Sequence, residues 1–197
     1  HTIDEAVAAV RKLNALGITA TLDVLGENVT ERKTAEAAVS SYLQTLDAIG
    51  QSNIRANVSL KLTQMGLDID RDFCLANLVR ICERAAALSC FVRIDMEGSN
   101  YTQRTLDLFY DLFRKHQNVG VVIQAYLHRS LKDIQQLVDL GARVRLCKGA
   151  YQEPPALALQ EMPDIRQNFK TLAEALLLKG NYPAIATHDD ELIAWVK

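Results

Sequence analysis

NVSLKLT, residues 57–63, decides the fold. Asn57, Ser59, Lys61 and Thr63 share one parity, and Val58, Leu60 and Leu62 share the other. Successive side chains of an extended strand point to opposite faces, so a strand here is polar on one face and apolar on the other. VRIDME (92–97) repeats the pattern, with Arg93, Asp95 and Glu97 against Val92, Ile94 and Met96. RVRL (143–146) sets Arg143 and Arg145 against Val144 and Leu146. An open, doubly wound sheet carries helices on both faces and needs both parities apolar. A barrel carries helices outside only, and its inward face turns polar at the C-terminal rim, where sites sit. The pattern predicts an α/β fold of the (β/α)8 TIM-barrel type.

Outward from this stretch, the hydrophobic period switches repeatedly between helix-like and strand-like. Strands are predicted over 18–26, 54–62, 91–96, 119–127, 142–148 and 183–188. Helices are predicted over 2–16 (stopped by Gly17), 30–50 (capped by Thr30), from Asp70 or Asp72 to about Ser89, 102–116, 130–140 (stopped by Gly141) and from Asp164 to Gly180. Another helix begins as the sequence ends. Strict alternation implies parallel strands joined by crossover helices. From Asp23 to His188 is 165 residues over five steps, or 33 per unit. Six units fill the 197 residues, whereas a full barrel takes about 250. The expectation is one partial barrel domain over 1–197, with strands seven and eight and the last helix outside it. Its two open strand edges would be pairing templates.

Composition narrows the function. Apolar residues make up 49%, and 22 Lys+Arg against 24 Asp+Glu leave a net charge of −2. That balance argues against a disordered tail and against a polybasic nucleic-acid binder. No uncharged apolar run reaches the roughly 18 residues of a membrane span, and no leader pattern opens the sequence. Cys74, Cys82, Cys90 and Cys147 fit neither the paired spacing of a zinc site nor a disulfide framework; they read as buried reduced thiols.

Polar groups recur at the C-terminal end of every predicted strand. They are Asp23 and Glu27; Lys61 and Thr63; Asp95 and Glu97; Gln124 and Tyr126; Arg145 and Lys148; and Thr187, His188 and Asp189. One such residue reads as a solvated loop or a structural ion pair. Six strands doing so together read as the rim of a site. The signs are mixed, which suits a metal centre poorly. No G-x-S-x-G elbow and no G-x-G-x-x-G fingerprint is present. A Schiff-base lysine at Lys61 or Lys148, as in barrel aldolases, stays open.

LDVLGE (22–27), VSLKLT (58–63), RIDMEGS (93–99), VIQAYL (122–127), VRLCKGAY (144–151) and ATHD (186–189) resemble the successive strand motifs of the proline dehydrogenase family, in order and at compatible spacing. The segment 151–169 is similar to the monofunctional bacterial type, with Gln152 where the bifunctional fusion usually has Trp. The resemblance implies a distorted barrel binding FAD non-covalently. It implies oxidation of L-proline to Δ1-pyrroline-5-carboxylate, hydride transfer to flavin N5, and electrons passed to a quinone. It implies a cytoplasmic protein whose membrane contact, where present, is peripheral at the inner membrane.

The resemblance also assigns roles. Arg145 resembles the arginine beside flavin N5 and O4, and Gln124 the residue at the flavin ring edge. Lys148, Gly149 and Ala150 resemble the FAD-binding run, Thr187 and His188 the FAD pair of strand six, and Ile94 a backbone and packing contact. Lys61 and Asp95 resemble substrate-side active-site residues, Glu27 the gating glutamate, and Tyr151 a pocket wall. The family's seventh strand, eighth strand and carboxylate-binding arginine pair have no match in these residues, so the 197-residue chain alone is expected to have little or no activity. Three alternatives remain: a methylenetetrahydrofolate-reductase-like flavoprotein, an aldolase-like lyase, and an inactive barrel fragment acting as a binding module.

Overall fold

A computed structural model describes residues 2–197, which form two compact units. Unit 1 holds the residues up to 95 together with 108–119; unit 2 holds 96–107 and 120–197.

Unit 1 begins with helix α1 (Ile3–Ala15), followed by β1 (Ala20–Asp23), α2 (Arg32–Ser52), β2 (Ala56–Leu60), α3 (Arg71–Ala87) and β3 (Val92–Ile94). Helix α4 (Ser99–Phe113) gives its first part to unit 2 and the rest to unit 1. β1 pairs in parallel with β2, and β2 with β3. Val39, Tyr42, Leu46, Val58, Leu60, Leu78, Ile81 and Phe109 form its buried interior.

The helix ends show what the local sequence decides. Thr2 and Glu5 form a reciprocal capping box that starts α1, and Asp70 caps α3 by accepting from Phe73 N at 2.7 Å. The start of α2 differs from expectation. Thr30 is not its cap; Glu31 precedes the helix in extended conformation without a side-chain bond. Thr63 explains this, because its Oγ1 accepts from Asn28 N at 2.9 Å and its carbonyl from Val29 N at 3.1 Å, which ties residues 28–29 to the chain beyond β2. Nor does α2 stop at Gly50. It continues to Ser52 and ends on Asn53 in the left-handed region (φ 49°), a conformation asparagine tolerates. Gly50 is a packing residue: a Cβ there would lie 2.7 Å from Leu88 Cδ2.

Unit 2 carries β4 (Val119–Gln124) from its second residue, then α5 (Ser130–Asp139), β5 (Arg143–Cys147), α6 (Met162–Lys179), β6 (Ala184–Ile185) and α7 (Asp190–Val196). β4 pairs in parallel with β5, and β5 with β6. Helices α5 and α6 pack on each other and on β5. Asp164 is not the cap of α6. The helix starts earlier, after Glu161, with Pro163 in its first turn, where a missing N–H costs nothing; Asp164 then lies in that turn, near the positive end of the helix dipole.

The strand faces separate the two architectures. Along β5, Val144 and Leu146 are buried, while Arg143, Arg145 and Cys147 are half-exposed. Helices therefore cover one face of this strand, as in a barrel and unlike a doubly wound sheet. The α/β class, with parallel strands alternating with helices, is the one expected. Each strand is shorter than its apolar run, and the trimmed C-terminal ends become loops. Among the described residues no cysteine is in a disulfide; three are buried and Cys147 is half-buried. No described helix is long and apolar enough to cross a membrane.

Candidate functional site: the C-terminal ends of the strands

In unit 1 the polar parity is in register. Thr21 stands opposite Asn57, Asp23 opposite Ser59, and Ser59 opposite Arg93. Thr21 Oγ1 donates to Asn57 Oδ1 at 2.8 Å. Asp95 follows β3, and its N–H donates to Leu60 O at 2.8 Å, which continues the strand pairing one residue further. Lys61, the next residue after β2, meets Glu27 from the loop after β1, with Nζ to Oε2 at 3.5 Å. Ile94 is fully buried on the apolar parity. The structure thus pairs Lys61 with Glu27 and fixes the backbone of Asp95 beside Leu60.

The loop after β1 hangs on a residue that sequence reading passed over. Tyr42, fully buried on α2, donates its hydroxyl proton to Asp23 Oδ1 at 2.9 Å and accepts from Val24 N at 3.3 Å. Gln64 Nε2 donates to Val24 O at 2.9 Å. Burial, and then the Asp23 carboxylate, push the Tyr42 phenol above its ordinary pKa, so it persists as a donor. In the sequence Tyr42 is one more apolar-face residue of a helix; only its position under the end of β1 reveals the role.

In unit 2, Arg145 stands opposite Val122 on one side and Ala184 on the other, and Gln124 stands opposite Cys147. Gln124 is buried. Its Nε2 donates to Glu97 O at 2.9 Å, and its carbonyl accepts from Ser130 Oγ at 2.5 Å. Pairing runs on past β4, with Ala125 N to Cys147 O at 2.7 Å and Tyr126 N to Lys148 O at 2.9 Å. Lys148 Nζ lies 2.9 Å from Asp189 Oδ2. Thr187 Oγ1 accepts from Asp189 N at 3.1 Å, and His188 is exposed.

Gly149 sits at φ +111°, and a Cβ there would fall 2.2 Å from the Tyr126 ring. Two reasons therefore require glycine: a backbone conformation closed to other residues and a ring in contact. Gly149→Ala is expected to destabilise the protein by about 1–3 kcal/mol, read as a lower denaturation midpoint; an unchanged midpoint refutes the conflict. Gly149, Ala150, Tyr151, Gln152 and Glu153 line a cleft of about 460 Å³ with Tyr126 and Gln160. The buried Tyr126 hydroxyl makes no well-formed hydrogen bond there, and burial, then Glu153, push its pKa up to about 12.

Glu153 is a second residue the sequence did not announce. Its Oε1 accepts from Ser99 N at 2.6 Å, and its other oxygen accepts from the Ser99 hydroxyl. A carboxylate more than fifty residues away thereby satisfies the N-terminus of α4. For this reason α4 begins at Ser99 rather than at 102. Among the described residues no group of acidic, histidine and cysteine side chains is placed to hold a metal ion.

Comparison with known proteins gives these strand ends a context. A family model described as proline dehydrogenase matches residues 6–196. The chain is 40% identical along its whole length to Proline dehydrogenase 2 of Bacillus subtilis. It is 35% identical, again along its whole length, to Proline dehydrogenase of Deinococcus radiodurans. The chain spans 65% of the length of each of these two relatives. Among solved structures, proline utilization A (PutA) of Bdellovibrio bacteriovorus, inactivated by N-propargylglycine, matches with a TM-score of 0.88 at 24% identity. That match covers 98% of this chain and 25% of that one, and the likeness is one of fold.

Proposed function

Because the chain belongs to the proline dehydrogenase family, we propose that it supplies six of the eight βα units of a barrel that oxidises L-proline to Δ1-pyrroline-5-carboxylate with FAD and passes the electrons to a quinone. The observation that carries the reading is the family match across 6–196. Contact with the inner membrane, where the quinone is held, is peripheral in this reading.

The residues at the strand ends of unit 2 suit an anionic dinucleotide. Lys148 offers an ammonium with three donors, Thr187 a hydroxyl and His188 an exposed imidazole, and the glycine turn at 149 ends beside a cleft. When bound, FAD supplies the hydride acceptor. Lys148, Gly149, Ala150, Thr187 and His188 hold it, Gln124 orients the ring edge, and Ile94 adds backbone and packing contact. Arg145 places a permanent positive charge where negative charge develops. On the substrate side, Lys61 binds the proline carboxylate, Asp95 orients neighbouring polar groups and balances the amine, Tyr151 lines the pocket, and Glu27 gates it.

The test is the absorbance spectrum after FAD reconstitution, with and without proline. The expected result is a bound flavin that proline bleaches, and a folate does not, once units seven and eight are supplied. The 197-residue chain alone should then reduce dye with proline at a small fraction of that rate. Bleaching by a folate instead, or a borohydride-trapped lysine adduct with no flavin spectrum, overturns the reading. Near-equal rates overturn the six-unit part of it.

A further inference from the structure

Asp189 joins two of the strand-end segments. Its carboxylate is only 4% exposed. Oδ2 accepts from Lys148 Nζ at 2.9 Å and from Arg166 Nε at 2.8 Å. Oδ1 accepts from Glu191 N at 3.2 Å, which caps α7. The Asp189 N–H donates to Thr187 Oγ1 at 3.1 Å. One residue thus holds the ammonium beyond β5, the guanidinium of α6 and the turn beyond β6. Glu191 extends the network, 3.5 Å from Arg166 and 2.7 Å from Lys170. Arg166 first, then Lys148, hold the Asp189 carboxyl well below the usual carboxylate range.

An ion cluster of this kind is weak evidence for stability, because desolvating the charges offsets their attraction. What it provides is position. A lysine side chain has many rotamers, and ordering it in advance lowers the cost of binding. Asp189 occupies one of the three Lys148 donors and leaves the ammonium oriented for another anion. We infer that Asp189 is a positioning residue for the dinucleotide, fixing Lys148 and the Thr187–His188 turn as one preorganised donor set. This inference rests on the FAD reading above and adds to it a residue that does not itself touch the cofactor.

Asp189→Asn separates position from capping, since asparagine caps a helix as well as aspartate does but lacks the charge. Flavin fluorescence titration, with units seven and eight supplied, is expected to show about tenfold weaker FAD binding for Asp189→Asn, with the apo-protein melting temperature little changed. In a Lys148→Met background the same exchange is expected to change the FAD Kd less than about twofold, because contacting residues are non-additive. A mere cap predicts a silent Asp189→Asn and a harmful Asp189→Ala, and that pattern overturns the inference. So does an Asp189→Asn effect of equal size with Lys148 already removed. Failure of the unaltered protein to bind FAD overturns the function reading, and this inference with it.

Discussion

Exchange of Tyr42 for alanine is expected to destabilise the protein by about 3–5 kcal/mol, the range for emptying a large, fully buried aromatic site. Two losses add. The ring leaves a cavity in the buried interior of unit 1, and the hydroxyl leaves Asp23 and Val24 N without the partner they have at 2.9 and 3.3 Å. Tyr42→Phe divides the two. It keeps the ring and removes only the oxygen, at an expected cost of about 1–3 kcal/mol for buried polar groups left unsatisfied. Denaturant unfolding at neutral pH measures both. An alanine variant within 1 kcal/mol of the unaltered protein refutes the view that this phenol anchors the end of β1.

Arg145→Met carries the largest expected effect on turnover. Arg145 sits in the middle of β5, half-exposed, on the parity that helices do not cover. Its strand position fixes the guanidinium more firmly than a loop would. In the proposed reaction this charge would offset the negative charge that develops on the bound cofactor. Removing one such preorganised group costs about 10²–10³-fold in kcat, with a smaller change in KM. Proline-dependent dye reduction in the eight-unit protein, at saturating FAD, measures it. A kcat within a fewfold of the unaltered enzyme removes Arg145 from the chemistry.

The order of elements was readable because it rests on period and punctuation. Thr2–Glu5, Asp70, Gly17 and Gly141 each act through residues no more than a few positions away, so their signals are local. The misplaced boundaries share the opposite cause. Gly50 reads as a stop, yet it packs against Leu88, the residue just past the end of α3. Thr30 reads as a cap, yet Thr63 fixes the preceding residues. The start of α4 is set by Glu153. The candidate site divides in the same way. Lys61, Asp95, Gln124, Arg145 and Lys148 stand out as polar residues on the strands or just beyond them. Tyr42, Gln64, Glu153 and Arg166 lie on helices or loops and acquire roles only through tertiary proximity.

The contact between Lys61 and Glu27 has one more consequence. At 3.5 Å, with the carboxylate side chain 47% exposed, such a pair is worth about 0–1 kcal/mol. In the proposed reaction Glu27 is then a tethered competitor for the ammonium, an internal ligand that the substrate carboxylate would displace at almost no electrostatic cost. Exchanging one carboxylate for another leaves the local charge unchanged. Added salt, which screens exposed charges over about 8 Å at physiological strength, weakens the resident and the newcomer together. In that reading, occupancy of Lys61 would be set by which carboxylate fits, rather than by the strength of the charge.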